Sequence, residues 1–199
     1  MARQSKKITE EFPSDLKSIV LKYDLPRWRT YNSPKDNERK AELPIGAWFL
    51  KKYDHDVIEI GEVMNSHIDC KHTIYDLRNE MPGTIVKDAR EIDYTGKNVL
   101  SISTIEHIGS DDVDLIKRIQ TESNNYLITF PVGFARDFEQ RLVESGIDYF
   151  IIERSSDGVN DWTQVTNKDF SLYNYNSPYA AGNAIVVITN LNVKFSYEH

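Results

Sequence analysis

The sequence predicts an α/β protein with a mostly parallel central sheet and helices on both faces. Three observations lead there. Short apolar runs recur along the chain: "VIEI" (57–60), "HTIYD" (72–76), "NVLSIST" (98–104), "NYLITF" (125–130), "DYFIIE" (148–153) and "AIVVITN" (184–190). Most are apolar at successive positions, the pattern of strands buried on two faces. Between them lie segments of helical period or compact connections, as parallel crossovers require.

Taken in order, "SDLKSIVLKY" (14–23) predicts a short helix, with Ser14 as N-cap and Ile19, Val20 and Tyr23 on its apolar side. The rest of residues 1–42 is polar, is punctuated by Pro13, Pro26 and Pro34, and reads as a lid or linker. The domain proper is expected over 43–199. "LPIGAWFLKKY" predicts a helix starting near Pro44, since proline suits a first helical turn. Strands follow at 57–60, 72–76, 83–89 ("GTIVKDA") and 98–104. A helix begins at Ser110 to Asp112, where carboxylates complement the helix dipole, with Val113, Leu115, Ile116 and Ile119 inward. "NYLITF" is a strand stopped by Pro131. "FARDFEQRLVESG" (134–146) is a helix with Phe134, Phe138, Leu142 and Val143 on one face and Gly146 as C-cap. "DYFIIE" and "AIVVITN" complete the sheet.

Composition narrows the function classes. The chain has 199 residues and a net charge of −7, which argues against a broad nucleic-acid face. No segment reaches membrane-spanning length, and "MARQSKK" is followed by no apolar h-region. A single cysteine, Cys70, excludes an internal disulfide. A soluble, cytoplasmic protein with neither a nucleic-acid partner nor membrane insertion is the expectation.

The polar residues are informative by position. Gly61, Asp76, Asp88 and the pair Glu106/His107 all fall at or just after predicted strand ends. In open α/β sheets ligands gather at the carboxyl ends of strands, so four successive ends suggest one shared crevice. His107 can take a proton from a hydroxyl near neutral pH, or can merely order a loop; Glu106 is the competing base. "HIDCKH" (67–72) offers imidazole, carboxylate and thiol, but its spacing fits no closed zinc motif, and no metal is expected. "SDDVD" (110–114) reads as helix capping before it reads as a cation site. Trp28, Arg29 and Tyr31 either form a lid over an acceptor or staple the N-terminal segment to the body. Tyr179 and Asn183, in "NSPYAAGNA", either border an acceptor pocket or belong to a loop.

The order "VIEIG" (57–61), "TIYD" (73–76), "IVKDA" (85–89), "SISTIEHIG" (101–109) and "YLITFPVG" (126–133) resembles class I S-adenosylmethionine-dependent methyltransferases, over roughly residues 44 to 190. Within that class it looks most like small methyltransferases associated with glycan assembly, which share a similar "TFPVGF" segment and a late "W-x-x-V" and "Y-x-x-x-N-A" pattern, here Trp162 to Val165 and Tyr179 to Ala184. The resemblance implies a Rossmann-like fold, S-adenosyl-L-methionine as cofactor, and O-methylation of a sugar or glycan hydroxyl. It implies that Gly61 lets the backbone approach the methionine part, with Glu62 following in the turn, and that Glu59 orients the turn and the cofactor's ammonium group. Asp76 would accept from the ribose hydroxyls. Asp88 and the Ala89 N–H would meet the adenine. Ser103 and Thr104 would lie beside the methionine end, and Glu106 and His107 on the substrate side. Another metabolite as acceptor, a degenerate binding module, and a module of a larger glycan-modifying protein remain the competing expectations.

The chain departs from the class in one respect. The glycine-rich turn has shrunk to Gly61, and Asp76 follows it by only 15 positions, against roughly 20 in the general fingerprint. The first crossover helix must be short, and the next is little more than a turn.

Overall fold

A computed structural model describes residues 18–21, 37–53, 56–68, 70–78, 81–154 and 162–197. The elements are β1 (Ser18–Leu21), α1 (Arg39–Tyr53), β2 (Val57–Ile60), β3 (Thr73–Asp76), β4 (Thr84–Val86), β5 (Asn98–Ile102), α2 (Asp112–Glu122), β6 (Asn125–Pro131), α3 (Arg136–Ser145), β7 (Phe150–Arg154), β8 (Trp162–Val165), β9 (Ala184–Thr189) and β10 (Lys194–Tyr197). All ten strands join one sheet in the order β1-β10-β8-β7-β9-β6-β5-β2-β3-β4. The ladders from β4 through β6 are all parallel, as is β1 with β10; those linking β6, β9, β7, β8 and β10 are antiparallel. The fold is α/β and Rossmann-like, as the sequence predicts.

The continuous apolar runs follow from burial on two faces. In β9, Ile185 and Val187 pack on the α1 side, with Trp48, Phe49 and Phe195. Ala184, Val186 and Ile188 face the side of α2 and α3, with Ile116, Ile119, Phe138 and Leu142. β5 alternates the same way: Val99 joins the second cluster, Leu100 and Ile102 the first. Helix α1 is buried around nearly its whole circumference, Ala41 to Leu50 without a break. That explains why its sequence carries so little amphipathic signal.

Four sequence expectations need correcting. Residues 18–21 form an edge strand parallel to β10, not a helix; β-branched Ile19 and Val20 suit a strand, and the partner lies at Lys194–Tyr197. Helix α1 starts at Arg39, ahead of Pro44, because Asn37 Oδ1 accepts the Arg39 N–H at 3.1 Å and anchors the first turn. The boundary drawn at 42/43 therefore falls inside α1. Phe134 and Val143 are exposed rather than on the inner face of α3, whose buried residues are Phe138, Glu139 and Leu142. β8 and β10 have no counterpart among the expected strands. Gly146 does cap α3, at φ 71°.

Among the described residues between β2 and β3 the crossover carries one 3-10 turn, Met64–Ser66. Among the described residues no helix is long and apolar enough to cross a membrane.

Candidate functional site

The chain reverses its direction of travel across the sheet between β2 and β5: β3 and β4 lie to one side of β2, β5 and β6 to the other. Crevices form at such a switch point, outside the carboxyl ends of the strands. Here the crevice is a cleft of about 660 Å³ lined from β2, β3, β4 and β5 by Gly61, Glu62, Asp76, Asp88, Ala89, Ser103, Thr104 and His107, and from α1 by Arg39. Eight of the residues singled out from sequence thus line one space.

Gly61 sits at φ +87°, and a Cβ there would lie 2.0 Å from Thr104 Oγ1. The position is closed to side chains on both counts. Its N–H donates to the Tyr75 carbonyl at 2.8 Å, tying the turn to β3. The next N–H, from Glu62, donates to Asp76 Oδ2 at 3.2 Å, and the Arg78 N–H donates to Oδ1 at 2.9 Å. A carboxylate has about four lone-pair sites, so Asp76 keeps acceptor capacity toward the cleft. The Glu62 carboxylate turns toward the β4 side, where Oε2 accepts from Thr84 Oγ1 at 2.8 Å and from the Met81 N–H at 3.1 Å.

Asp88 is less available than expected. Its Oδ1 accepts from the Arg90 N–H and Nε, both at 2.9 Å, and Oδ2 from Arg90 Nη2 at 2.6 Å. Those bonds hold its carboxyl down at about 2. The Asp88 carboxylate is therefore committed to Arg90, and Lys87, Ala89 and Arg90 line the cleft beside it.

Glu59 belongs beneath the turn and not in the cleft. It is fully buried, and its Oε1 accepts the Val63 and Met64 N–H groups at 3.1 and 2.8 Å. Its Oε2 meets His72 Nε2 at 2.7 Å. It organises the turn from below and does not reach a ligand's ammonium group.

The far wall is built on strain. Ser103 ends β5 at φ +41°, a left-handed conformation for a non-glycine residue, which costs on the order of 1–2 kcal/mol. It is held there by its N–H to the Thr129 carbonyl at 2.8 Å and by its hydroxyl, which donates to Glu42 Oε1 at 2.9 Å. The Ser103 side chain is thus spent on Glu42, beneath the cleft. Glu42 also accepts from Thr129 Oγ1 at 2.8 Å and pairs with Arg39. Burial pushes the Glu42 carboxyl up, against the pull of Arg39. For Arg39 burial opposes the charge, but Glu42 and then Glu38 outweigh it and the guanidinium stays charged.

Glu106 and His107 differ sharply in exposure, although His107 Nε2 lies 3.8 Å from Glu106 Oε1. The Glu106 side chain is buried to 1% exposure, does not line the cleft, and its carboxyl oxygens accept no hydrogen bond from another of the described residues. Burial, reinforced by Glu42 and Glu38, drives its carboxyl well above the ordinary range. Enclosed, held toward its neutral form and away from the cleft lining, Glu106 is not placed to take a proton from an incoming hydroxyl. The His107 side chain is half exposed on the rim. Burial and then Arg39 lower its titration below 6.5, so the imidazole is neutral at pH 7 and able to accept a proton. Its ring meets Phe134 edge-on at 5.2 Å, and Phe134 meets Tyr175 at 5.3 Å. This aromatic rim was invisible in the sequence because Phe134 reads as part of the inner face of α3.

Tyr179 and Asn183 do not line the cleft. Asn183 is buried and knits its own loop: its Nδ2 donates to the carbonyls of Asn174, Tyr179 and Ala181, and its Oδ1 accepts the Tyr179 N–H at 3.1 Å. The Tyr179 ring lies 4.8 Å from the Arg154 guanidinium. Both are loop-ordering residues. Trp28 and Tyr31 lie outside the described residues. Asp111 and Asp112, at the start of α2, are paired with Arg90 and Arg141 at 2.8 and 2.5 Å. Arg39 was missed because "ERKAE" reads as the end of a linker; Asn37 as an N-cap was the signal that marks a helix there.

No family model and no curated protein matches the chain. Among solved structures it is similar to protein 1320 of Thermoplasma acidophilum, with 17% identity over 73% of this chain and 87% of that one, at a TM-score of 0.41. It is also similar to magnesium protoporphyrin IX methyltransferase from Synechocystis PCC 6803 with bound SAM, with 11% identity over 75% and 83% of the two chains, at 0.37. A third likeness is to the methyltransferase domain of bacterial CtHen1, with 13% identity over 74% and 96%, at 0.37. At such values the likenesses add nothing to the topology already described.

Proposed function

We propose that this chain is an S-adenosylmethionine-dependent O-methyltransferase whose acceptor is a hydroxyl of a sugar or glycan. One observation carries the reading: Gly61, Asp76, Ala89, Thr104 and His107, picked from the ordered strand ends of the sequence, line a single cleft at the switch point. The cleft's volume of about 660 Å³ lies within the roughly 300–1,000 Å³ of small-molecule sites. The donor set fits a nucleoside cofactor: Asp76 keeps free acceptor capacity for a ribose diol, and the Ala89 backbone stands on the neighbouring wall. Gly61 allows the close backbone approach that a methionine tail needs. When bound, the cofactor supplies an electrophilic sulfonium methyl.

The residues of this chain do the rest. His107, neutral at pH 7, accepts the proton of the acceptor hydroxyl at a ring nitrogen. Phe134 and Tyr175 extend the rim beside it and offer an apolar surface to the C–H face of a sugar. Arg39 keeps positive charge near His107 and favours its neutral form.

Calorimetry with S-adenosylhomocysteine tests the cofactor. Sub-millimolar binding is expected, weakened at least tenfold, or about 1.4 kcal/mol, by Asp76→Ala. Absence of binding by the wild type overturns the reading. Product mass with glycan and non-glycan acceptors then tests the acceptor. In that assay the rate should rise with pH through an inflection below 6.5, which His107→Gln abolishes; an unchanged profile would remove His107 as the base.

A further inference from the structure

The turn that floors the cleft rests on a group of side chains that the proposed reaction does not use. A carboxylate oxygen of Glu59, the Cys70 thiol sulfur and a ring nitrogen of His72 lie within 4.8 Å of one another. Glu59 comes from β2, while Cys70 and His72 come from the connection that leads into β3. From sequence only "HIDCKH" was visible, and its spacing closes no zinc motif. The missing donor sits 11 residues before Cys70 and is brought in by the pairing of β2 with β3, which sets Glu59 beside Ile74. The carboxylate and imidazole are enclosed, at 0% and 3% side-chain exposure, and Cys70 is partly buried.

We propose that Glu59, Cys70 and His72 form a site for a thiophilic divalent cation of the zinc type. Thiolate, imidazole and carboxylate are all established zinc donors, and three protein ligands with a fourth position left open is a recurrent zinc arrangement. Magnesium and calcium prefer sets made only of oxygen, so a set with sulfur and nitrogen selects against them. Tetrahedral zinc with bonds near 2.0–2.3 Å places its ligand atoms about 3.3–3.8 Å apart. A spread of at most 4.8 Å, with Glu59 to His72 at 2.7 Å, reaches that geometry by side-chain adjustments on the order of 1 Å. Entry of the ion displaces the Cys70 thiol proton to solvent and moves the proton shared by Glu59 and His72 to the other ring nitrogen or to solvent, so that two coordinate bonds replace that hydrogen bond.

The location gives the site a structural consequence. A longer crossover would brace the turn after β2 with a helix; here, among the described residues, it has the 3-10 turn Met64–Ser66. Glu59 Oε1 already holds the Val63 and Met64 N–H groups from below, and an ion on Oε2 leaves those bonds in place. Coordination would therefore pin β2, the turn and the start of β3 to one point. The proposal does not depend on which cofactor the cleft takes.

The test is direct titration of metal-stripped protein with Zn²⁺ and with Co²⁺. One equivalent of either should bind, with proton release and, for Co²⁺, a thiolate-to-metal charge-transfer band. The conservative Cys70→Ser should abolish that band, and both Cys70→Ser and His72→Ala should weaken Zn²⁺ binding at least tenfold. Zn²⁺ should raise the thermal midpoint of the wild type and leave that of Cys70→Ser unmoved, which keeps the test valid if a variant is itself less stable. Substoichiometric binding, a band that survives Cys70→Ser, or displacement by millimolar Mg²⁺ would each overturn the assignment.

Discussion

Gly61→Ala is the most demanding test of the turn at the head of the cleft. Two independent penalties act there. Alanine at φ +87° costs about 1–2 kcal/mol for the left-handed conformation. Its Cβ would also stand 2.0 Å from Thr104 Oγ1 and 2.9 Å from both Thr104 Cβ and Cγ2, none of them the far end of a long side chain. Overpacking of that kind typically costs about 1–3 kcal/mol. The expected loss is therefore about 2–5 kcal/mol in urea denaturation. Thr104→Ala removes Oγ1 and Cγ2, at the expense of the Thr104 hydroxyl bond to the Ile102 carbonyl at 2.9 Å. The double variant should recover most of the overpacking share of about 1–3 kcal/mol relative to additivity, while the backbone share stays. A single-variant loss below about 1 kcal/mol, or strict additivity of the pair, would refute the argument that Thr104 and Gly61 close on each other.

Two further outcomes follow from the corrected residues. Burial raises the Glu106 carboxyl well above its ordinary value, so above about pH 4.5 the native state binds more protons than the unfolded chain, and stability falls as pH rises toward the folded-state value. Glu106→Gln should remove up to about 1.4 kcal/mol per pH unit of that decline, read from urea midpoints between pH 5 and 8; parallel slopes would show that Glu106 is charged in the fold. Asn183→Ala should cost about 2–6 kcal/mol of stability, from four hydrogen bonds at roughly 0.5–1.5 kcal/mol each. It should leave cofactor affinity unchanged in the calorimeter, whereas a loss of binding without a loss of stability would restore it to the site.

What the sequence determined by itself was the α/β class and the series of strand ends. Both are local signals: strands buried on two faces must be apolar at successive positions, and a glycine or an acid at the end of such a run is readable in place. Gly61, Asp76 and His107 were found on those grounds. Tertiary structure decided the availability of each side chain, because availability depends on partners distant in sequence. Asp88 is taken by Arg90, Ser103 by Glu42 from α1, and Glu106 is sealed beside Glu38, Arg39 and Glu42. β1 looked helical since its partner β10 lies at the other end of the chain, and no local pattern records a parallel ladder between residues 18–21 and 194–197. Arg39, the Phe134–Tyr175 rim, and Glu59 beside Cys70 and His72 became visible only when strand pairing and helix packing brought together residues that the sequence keeps apart.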